Sequence, residues 1–192
     1  MRDPGEAAAH PRGDTRQRIQ SVALELFAEQ GYEKTSLREI AERLGVTKAA
    51  LYYHFRSKED IVHSFTDDYF NEIDDLIEWA KTQPAGEATR REILDRYIAI
   101  VLARAEVFRF IEQNRAAMQS IDSHKERFVQ FRSRLDVLVD IIAGPGASLR
   151  SRVRAAAALF ATSTSCMYFW ARTDDPASLQ AIVMEIATDL TA

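Results

Sequence analysis

Residues 47–55, Thr-Lys-Ala-Ala-Leu-Tyr-Tyr-His-Phe, carry the side chains of this sequence that are best suited to binding nucleic acid. At about 100° per residue, Lys48, Ala49, Tyr52 and Tyr53 occupy roughly 140° of one helix surface. This surface presents a cation, two phenols and a methyl group and no carboxylate, which suits the phosphates and base edges of a DNA major groove. A small helical hairpin with a solvated, tyrosine-bearing face explains the same pattern, so the spacing alone leaves both interpretations open.

Residues suited to catalysis or metal binding are scattered by comparison. No two of the four histidines stand three or four residues apart, and Cys166 is the single cysteine, so no metal ligand set is visible; the histidines are His10, His54, His63 and His124. The acid pairs at 67–68 and 74–75 fit a solvated helix surface better than a pair of catalytic carboxylates. Nucleophile-elbow, phosphate-loop and dinucleotide motifs are absent from the sequence. We therefore expect no enzyme activity, no cofactor and no metal.

The candidate face lies on the second of two short predicted helices. Apolar residues at 37, 40, 41 and 44 follow the i, i+3, i+4, i+7 spacing of one helix, which Thr35 or Ser36 can cap and Gly45 can end in a left-handed conformation. Thr47 can cap a second helix over 48–54, whose inner residues are Leu51 and Phe55. The pattern predicts a helix-turn-helix, with a preceding helix over 14–30 as the third wall of its core.

Many fixed spacings in this region resemble the DNA-binding domain of the TetR family of bacterial transcriptional repressors. The resemblance covers about residues 16–65, a quarter of the chain. It rests on Gly31-Tyr32, Thr35-Ser36-Leu37, Ile40-Ala41, Gly45-Val46-Thr47-Lys48, Leu51-Tyr52-Tyr53-His54-Phe55 and Ser57-Lys58-Glu59.

The resemblance implies two sets of DNA contacts. Residues expected to contact phosphates or groove edges are Thr35, Ser36, Thr47, Tyr52, Tyr53, His54 and Lys58, and those expected nearest the bases are Lys48, Ala49 and Ala50. Lysine to guanine and alanine methyl to thymine methyl are the chemically natural pairings. Lys58 stands at a helix start, where a cation is unfavourable to the helix dipole, which suggests an external phosphate partner.

The rest of the chain predicts an all-α protein of about nine helices. The 192 residues include only seven glycines and five prolines, and 46% are hydrophobic, as expected for a compact helical protein. We predict a loose tail at 1–13, a three-helix DNA-binding domain at 14–60, and an effector-binding and dimerisation domain at 61–192. Beyond the third helix, the predicted helices cover 58–82, 89–104, 106–120, 124–143, 149–173 and 177–190. The first of these would connect the two domains.

An effector pocket in the second domain is implied by the resemblance, although an aromatic and methionine set of this kind is more often plain core. Its candidate lining is Trp79, Tyr97, Phe108, Asn114, Met118, Phe128, Phe131, Thr164, Tyr168 and Phe169. These residues suit a largely apolar small molecule.

The last two long helices are suited to association. Small residues at 155–158 and 161 allow close approach, and the last helix has an apolar stripe at 179, 182, 183, 186 and 190. A monomer could bury these residues internally, whereas the resemblance implies a homodimer built from two helices of each subunit.

Charge and hydropathy add little to the choice of function. The net charge is −4, but residues 12–60 carry nine basic and eight acidic residues, so local placement decides. With no secretory signal and no stretch fit for a membrane span, we expect a cytoplasmic protein. The favoured interpretation is a ligand-responsive, homodimeric repressor that binds double-stranded operator DNA. A helical small-molecule-binding protein without DNA binding and, with less support, an enzyme on a helical scaffold are the alternatives.

Overall fold

The computed structural model describes residues 12–119 and 124–192. Within these ranges the chain forms ten α-helices and one 3-10 turn with no strand, and the all-α prediction is confirmed. The helices are α1 (Arg12–Gln30), α2 (Leu37–Leu44), α3 (Lys48–His54), α4 (Lys58–Lys81), α5 (Glu87–Ala103), α6 (Ala105–Gln113), α7 (Arg115–Gln119), α8 (His124–Ala143), α9 (Leu149–Phe169) and α10 (Pro176–Thr191), with the 3-10 turn at Trp170–Arg172. Residues 12 and 13, which are predicted from the sequence to belong to the tail at 1–13, are the first two residues of α1. Residues 1–11 lie outside the described ranges.

The chain divides into two compact units, Met1–Phe65 and Thr66–Ala192. The continuous helix α4 runs through this division, so its first eight residues belong to the first unit. In the first unit α2 packs against both α1 and α3. The core between them contains fully buried apolar side chains from each of the four helices, among them Ile19, Ile40, Leu51 and Ile61.

The second unit is organised around α9, which packs against α5, α6, α8 and α10. The inner face of α9 carries Ala155, Ala158 and Leu159, which are almost fully buried. Because the alanine side chains are small, the neighbouring helices can approach α9 closely. The α8–α9 connection contains Gly144 and Gly146, both with positive φ, as the Gly-Pro-Gly stop in the sequence predicts.

Two predicted helices differ from the observed ones. The helix predicted over 106–120 is two helices, because Asn114 interrupts it: the Asn114 backbone N–H and side-chain Nδ2 both donate to the Phe110 carbonyl, at 3.0 and 2.9 Å. The helix predicted over 149–173 ends at Phe169 and tightens into the 3-10 turn. Such tightening of a last turn is common and leaves no strong signal in the sequence.

Candidate nucleic-acid interface

The turn between α2 and α3 is fixed at both ends by short-range hydrogen bonds. Ser36 caps α2 by accepting from the Glu39 N–H at 3.2 Å, while Glu39 reaches back to the Ser36 N–H at 2.8 Å, a complete capping box. Gly45 ends α2 in the left-handed conformation, with φ 71°. Thr47 then caps α3 by accepting from the Ala50 N–H at 3.1 Å. The orientation of α3 is therefore set locally by the caps that the sequence predicts.

The outward face of α3 is open to solvent. Tyr53 is 73% exposed and Tyr52 is 42% exposed, and Lys48, Ala49 and Ala50 are also exposed. The ammonium of Lys48 lies 5.5 Å from the centroid of the Tyr52 ring, within the range of a cation–π contact. The inner face is held by Leu51, which is fully buried. The helix thus presents a cation, two phenols and two methyl groups without using them for the core.

The carboxylates around this face are engaged by neighbouring side chains. Arg43 pairs with Glu29 at 2.9 Å, and Arg38 pairs with Glu42 at 2.7 Å. The Ser36 hydroxyl and, secondarily, its backbone N–H hold the pKa of the Glu39 carboxyl below its usual range. These interactions engage the carboxylates of Glu29, Glu39 and Glu42.

Basic side chains in the same unit are available by contrast. Lys34, Lys48 and Arg56 are exposed, and none of them forms an ion pair within residues 12–119 and 124–192. These three cations are accessible to phosphate.

The side chain of Thr35, one of the predicted DNA contacts, is buried in the structure. Its side chain is only 2% exposed, and its hydroxyl lies 2.9 Å from the Gly31 carbonyl oxygen, to which it donates. The amide of Gln30 donates to the same hydroxyl at 3.3 Å. Thr35 ties the end of α1 to the start of α2, and its side chain is not placed to reach a phosphate.

Lys58, for which the sequence suggests an external phosphate partner, has partners within the protein. Its ammonium donates to the Tyr32 carbonyl at 2.7 Å and lies 4.4 Å from the centroid of the Tyr32 ring. A longer contact of 3.4 Å reaches the Glu33 carbonyl. These contacts give the cation at the start of α4 a structural role, and its contact with phosphate stays a prediction.

The other predicted DNA contacts lie where DNA can reach them. Ser36, Thr47, Tyr52 and Tyr53 are exposed, as are the three residues expected nearest the bases, and His54 is half-buried with its ring against Tyr53 at 5.2 Å between centroids. Their contacts with DNA stay predictions.

Four of the predicted pocket residues share one hydrophobic core: Tyr97 is part of it, and Trp79, Phe108 and Phe131 pack against it. Phe108 and Phe131 both lie against Tyr69, with ring centroids 5.2 and 6.1 Å away, although Tyr69 is not among the predicted lining. Tyr97 is fully buried, and its hydroxyl lies 2.5 Å from that of Ser163. Burial, and secondarily the charges and hydrogen bond of Tyr97, raise the pKa of Tyr69.

The remaining pocket candidates differ in their exposure to solvent. Thr164, Tyr168 and Phe169 are exposed on α9, so they do not join the buried aromatic residues. Trp79 is half-buried under the guanidinium of Arg96, 3.8 Å from its ring centroid, and Met118 is buried. Asn114 is engaged at the end of α6, as described above. The side chain of Phe128 lies outside the described residues.

Neither a metal site nor a membrane helix is found in the described chain. No group of three or more His, Cys, Asp or Glu side chains in residues 12–119 and 124–192 is arranged to hold a metal ion. Among the helices of those same ranges, none has the length and apolar character needed to cross a membrane. Cys166 is fully buried, and burial raises the pKa of its thiol to about 11.

The fold and the exposed α3 face define a helix-turn-helix protein with a separate all-helical second unit. A family model described as "Bacterial regulatory proteins, tetR family" matches residues 19–65. The HTH-type transcriptional regulator AcrR of Shigella flexneri is 35% identical over 118 residues, which cover 60% of this chain and 51% of that regulator. Residues 19–65 of the chain are therefore similar to the tetR family of bacterial regulatory proteins.

Solved structures share the fold along most of the chain. The TetR family transcriptional regulator PfmR from Thermus thermophilus has a TM-score of 0.69 at 22% identity, covering 91% of this chain and 97% of that one. The transcriptional regulator FadR from Bacillus subtilis, solved in complex with stearoyl-CoA, has a TM-score of 0.65 at 18% identity, covering 92% of this chain and 97% of that one. The second unit therefore has the fold of such regulators, while the AcrR match spans only about half of that relative.

Proposed function

We propose that this protein is a homodimeric transcriptional repressor that binds operator DNA through α3 and is released by a small molecule. The observation that carries the proposal is the exposed, acid-free face of α3, held in place by the capped turn before it. A helix of this width fits a B-DNA major groove, where base pairs present distinguishable donor and acceptor patterns.

Different side chains of α3 contact the bases and the phosphates of the DNA. Lys48 donates to guanine, while the methyl groups of Ala49 and Ala50 approach thymine methyls. The phenol hydroxyls of Tyr52 and Tyr53 donate to phosphates, which fixes register without reading sequence. Ser36 and Thr47 keep their caps and offer phosphate contacts from the helix starts.

Dimerisation is supported by a second apolar face on α9. Leu149, Val153, Phe160 and Met167 are 78%, 57%, 52% and 39% exposed. At about 100° per residue they fall within roughly 40° of arc, a continuous stripe at heptad-like spacing. The buried residues of α9, such as Ala158, lie on the opposite side. An apolar stripe of this length is unusual on the surface of a monomer.

The last helix contributes a matching pair. Ile182 and Ile186 are 55% and 49% exposed and one helical turn apart, whereas Leu179 and Val183 are buried in their own unit. The apolar residues expected to form one stripe on α10 therefore lie on two faces of the helix. Only the exposed pair, Ile182 and Ile186, is available to contact a second subunit. Two helix-turn-helix units in one dimer would read two half-sites, because one unit contacts too few bases to be selective.

Regulation by a small molecule is supported by the buried groups of the second unit. The cluster around Tyr69 is aromatic, and the hydroxyl of Thr162, 1% exposed, has no hydrogen-bond partner among the described residues. An unsatisfied buried hydroxyl costs about 1–3 kcal/mol, which a ligand's polar group would offset. We expect a largely apolar effector. It changes the affinity of the protein for DNA only if it binds the DNA-bound and DNA-free states of the protein with different affinities. We expect α4 to transmit this effect.

Selection from a random duplex pool tests this function. We expect the protein to enrich a sequence with two related half-sites, and the enriched duplex to bind with a steep salt dependence. Failure to enrich any sequence, together with weak duplex binding at low salt, would instead support a helical small-molecule-binding protein without DNA binding. Lipophilic compounds that raise the melting temperature should then be titrated with and without the enriched duplex, since an effector must bind differently in the two cases.

A further inference from the structure

Two adjoining clefts lie where the ends of α4, α8 and α10 meet the starts of α5 and α9. One, of about 190 Å³, is lined by Arg90, Ser151, Arg154 and Thr191, and we call it the arginine cleft. The other, of about 200 Å³, is lined by Ala80, Ile93, Ile141 and Pro145, and we call it the apolar cleft. Arg90 and Ile142 line both clefts, so the two are neighbours that share a wall.

The charge of the arginine cleft is not compensated by its surroundings. Arg90 is half-buried, and its side chain makes no ion pair or hydrogen bond within the described ranges. Arg154 donates from Nε to the Leu190 carbonyl at 2.8 Å and from Nη2 to the Asp189 carbonyl at 3.0 Å. These carbonyls orient the guanidinium but carry no full charge, so both arginines keep a net positive charge facing the cleft.

Nearby acids do not neutralise this charge. Asp140 lines the apolar cleft and pairs with Arg152 at 2.9 Å. The side chains of Glu87 and Asp189 are exposed, and neither forms an ion pair in the described part of the chain.

The start of α9 adds to the positive potential. Arg150, Arg152 and Arg154 occupy its first two turns, and no acid lies in its first turn. Cations at a helix N-terminus are unfavourable to the helix dipole, so an anion bound there is stabilised by the dipole and the arginines together. The hydroxyl of Ser151, in the same turn, is a further donor.

The apolar cleft offers the opposite chemistry. Ile93, Ala80 and Ile142 line it and are at most 2% exposed, so the cleft reaches the core of the second unit. Lys81, which also lines it, is already paired with Glu78 at 2.7 Å. Each cleft is smaller than a typical ligand pocket of about 300–1,000 Å³, but the two together reach the lower end of that range.

We propose that the two clefts form one site for a small anionic amphiphile, specifically a monocarboxylate with a short alkyl or aromatic tail. The carboxylate binds Arg90 and Arg154, since a guanidinium matches its two oxygens, and the tail lies along Ile142 into the apolar cleft. This site is separate from the aromatic cluster around Tyr69 and does not depend on DNA binding. A carboxylate ligand here would stabilise the second unit by mass action.

Calorimetric titration of the full chain with octanoate tests the site. We expect saturable binding of one octanoate per chain, and at least tenfold weaker binding of 1-octanol, which lacks the charge, and of acetate, which lacks the tail. Arg90→Gln should weaken octanoate binding at least tenfold. Because the Arg90 side chain has no partner among the described residues, this substitution should leave the melting temperature unchanged, unlike Arg154→Gln, which removes the contacts to α10.

The matched control is Arg91→Gln, at an exposed neighbouring position that lines neither cleft. It should bind octanoate like the unsubstituted protein. Equal octanoate affinity in the Arg90 and Arg91 variants, equal affinity for octanoate and 1-octanol, or no octanoate binding at all would each overturn the proposal. Methyl resonances of Ile93 and Ile142 should shift on binding, and their constancy would place the ligand elsewhere and likewise contradict it.

Discussion

The ammonium of Lys58 lies 2.7 Å from the carbonyl oxygen of Tyr32, and the Tyr32 hydroxyl in turn donates to the Glu59 carboxylate at 2.9 Å. The first turn of α4 is therefore fastened to the turn between α1 and α2 by two reciprocal contacts. Burial, and secondarily the hydrogen bond and charge of Glu59, raise the pKa of Tyr32. The start of α4 is an integral part of the DNA-binding unit rather than a flexible connection to it.

Replacing Lys58 with alanine should therefore reduce stability more than it changes the salt dependence of DNA binding. A charge-assisted hydrogen bond contributes about 1.5–3 kcal/mol, and we expect the lower end because the side chain is half-buried. Urea denaturation measures the loss. Lys34→Ala, at an exposed position without an ion pair among the described residues, is the control and should change the unfolding free energy by less than about 0.5 kcal/mol. Equal stability of the two variants would show that the Lys58 contacts contribute nothing.

The capping box at the start of α2 predicts a specific pH dependence. The pKa of Glu39 is lowered by the Ser36 hydroxyl first and the Ser36 backbone N–H second. A carboxyl with a lowered folded-state pKa stabilises the protein fully above its unfolded-state value of 4.5, and the contribution disappears as pH falls through the folded-state pKa. Glu39→Gln should be less stable than the unsubstituted protein at pH 7, and the difference should shrink toward pH 3.

Thermal melts of both proteins from pH 3 to pH 7 measure this effect. Ser36→Ala removes the cap itself and should cost about 1 kcal/mol at pH 7. A difference between the glutamate and glutamine proteins that stays constant over the whole range would mean that the carboxylate charge has no part in the box.

Local features of this fold could be predicted from the sequence, whereas contacts between distant residues could not. Ser36, Gly45 and Thr47 act within three or four residues of their partners, and each has the role that the sequence predicts. The partner of Lys58 lies 26 residues away, and nothing in the spacing indicates it. The burial of Thr35 likewise depends on the end of α1.

Helix periodicity also cannot show which apolar face is turned inward. The helix α9 has two apolar faces, one buried and one exposed. The small residues between Leu149 and Met167 indicate close packing, but they do not show which of the two faces points outward. Tyr168 and Phe169 suit a pocket by residue type, yet they are exposed. The type of a residue indicates which surroundings its side chain prefers, but tertiary packing determines whether that side chain is buried or exposed.

Cys166 should be unreactive in the folded protein. Its side chain is fully buried and the pKa of its thiol is raised to about 11, so at pH 8 roughly one thiol in a thousand is ionised. Alkylation by iodoacetamide should be at least a hundredfold slower in native protein than in urea-unfolded protein. Similar rates in the two states would contradict the buried position.

The proposed dimer face predicts which surface substitutions produce monomers. Phe160→Asp and Ile186→Asp place charges on the outward stripes of α9 and α10 and should weaken dimerisation at least a hundredfold, because burying an unpaired carboxylate is costly. Val129→Asp is the matched control, since Val129 is 65% exposed and belongs to α8 rather than to either stripe. Sedimentation velocity at micromolar concentration distinguishes the states. A monomeric unsubstituted protein, or a Phe160→Asp protein that remains dimeric, would contradict the assignment.

The affinity of Ala49→Glu for the duplex enriched from a random pool tests the central claim most directly. Ala49 is exposed in the first turn of α3, where a glutamate suits the helix dipole, so the fold should be unaffected. Ala99→Glu introduces the same charge at an exposed position of α5 and is the control. If α3 lies in the major groove, the first substitution sets a carboxylate against phosphates and base edges, a repulsion of several kcal/mol. Fluorescence anisotropy should then show about a hundredfold weaker binding for Ala49→Glu and unchanged binding for Ala99→Glu, whereas equal affinities for the two variants would contradict DNA recognition by α3.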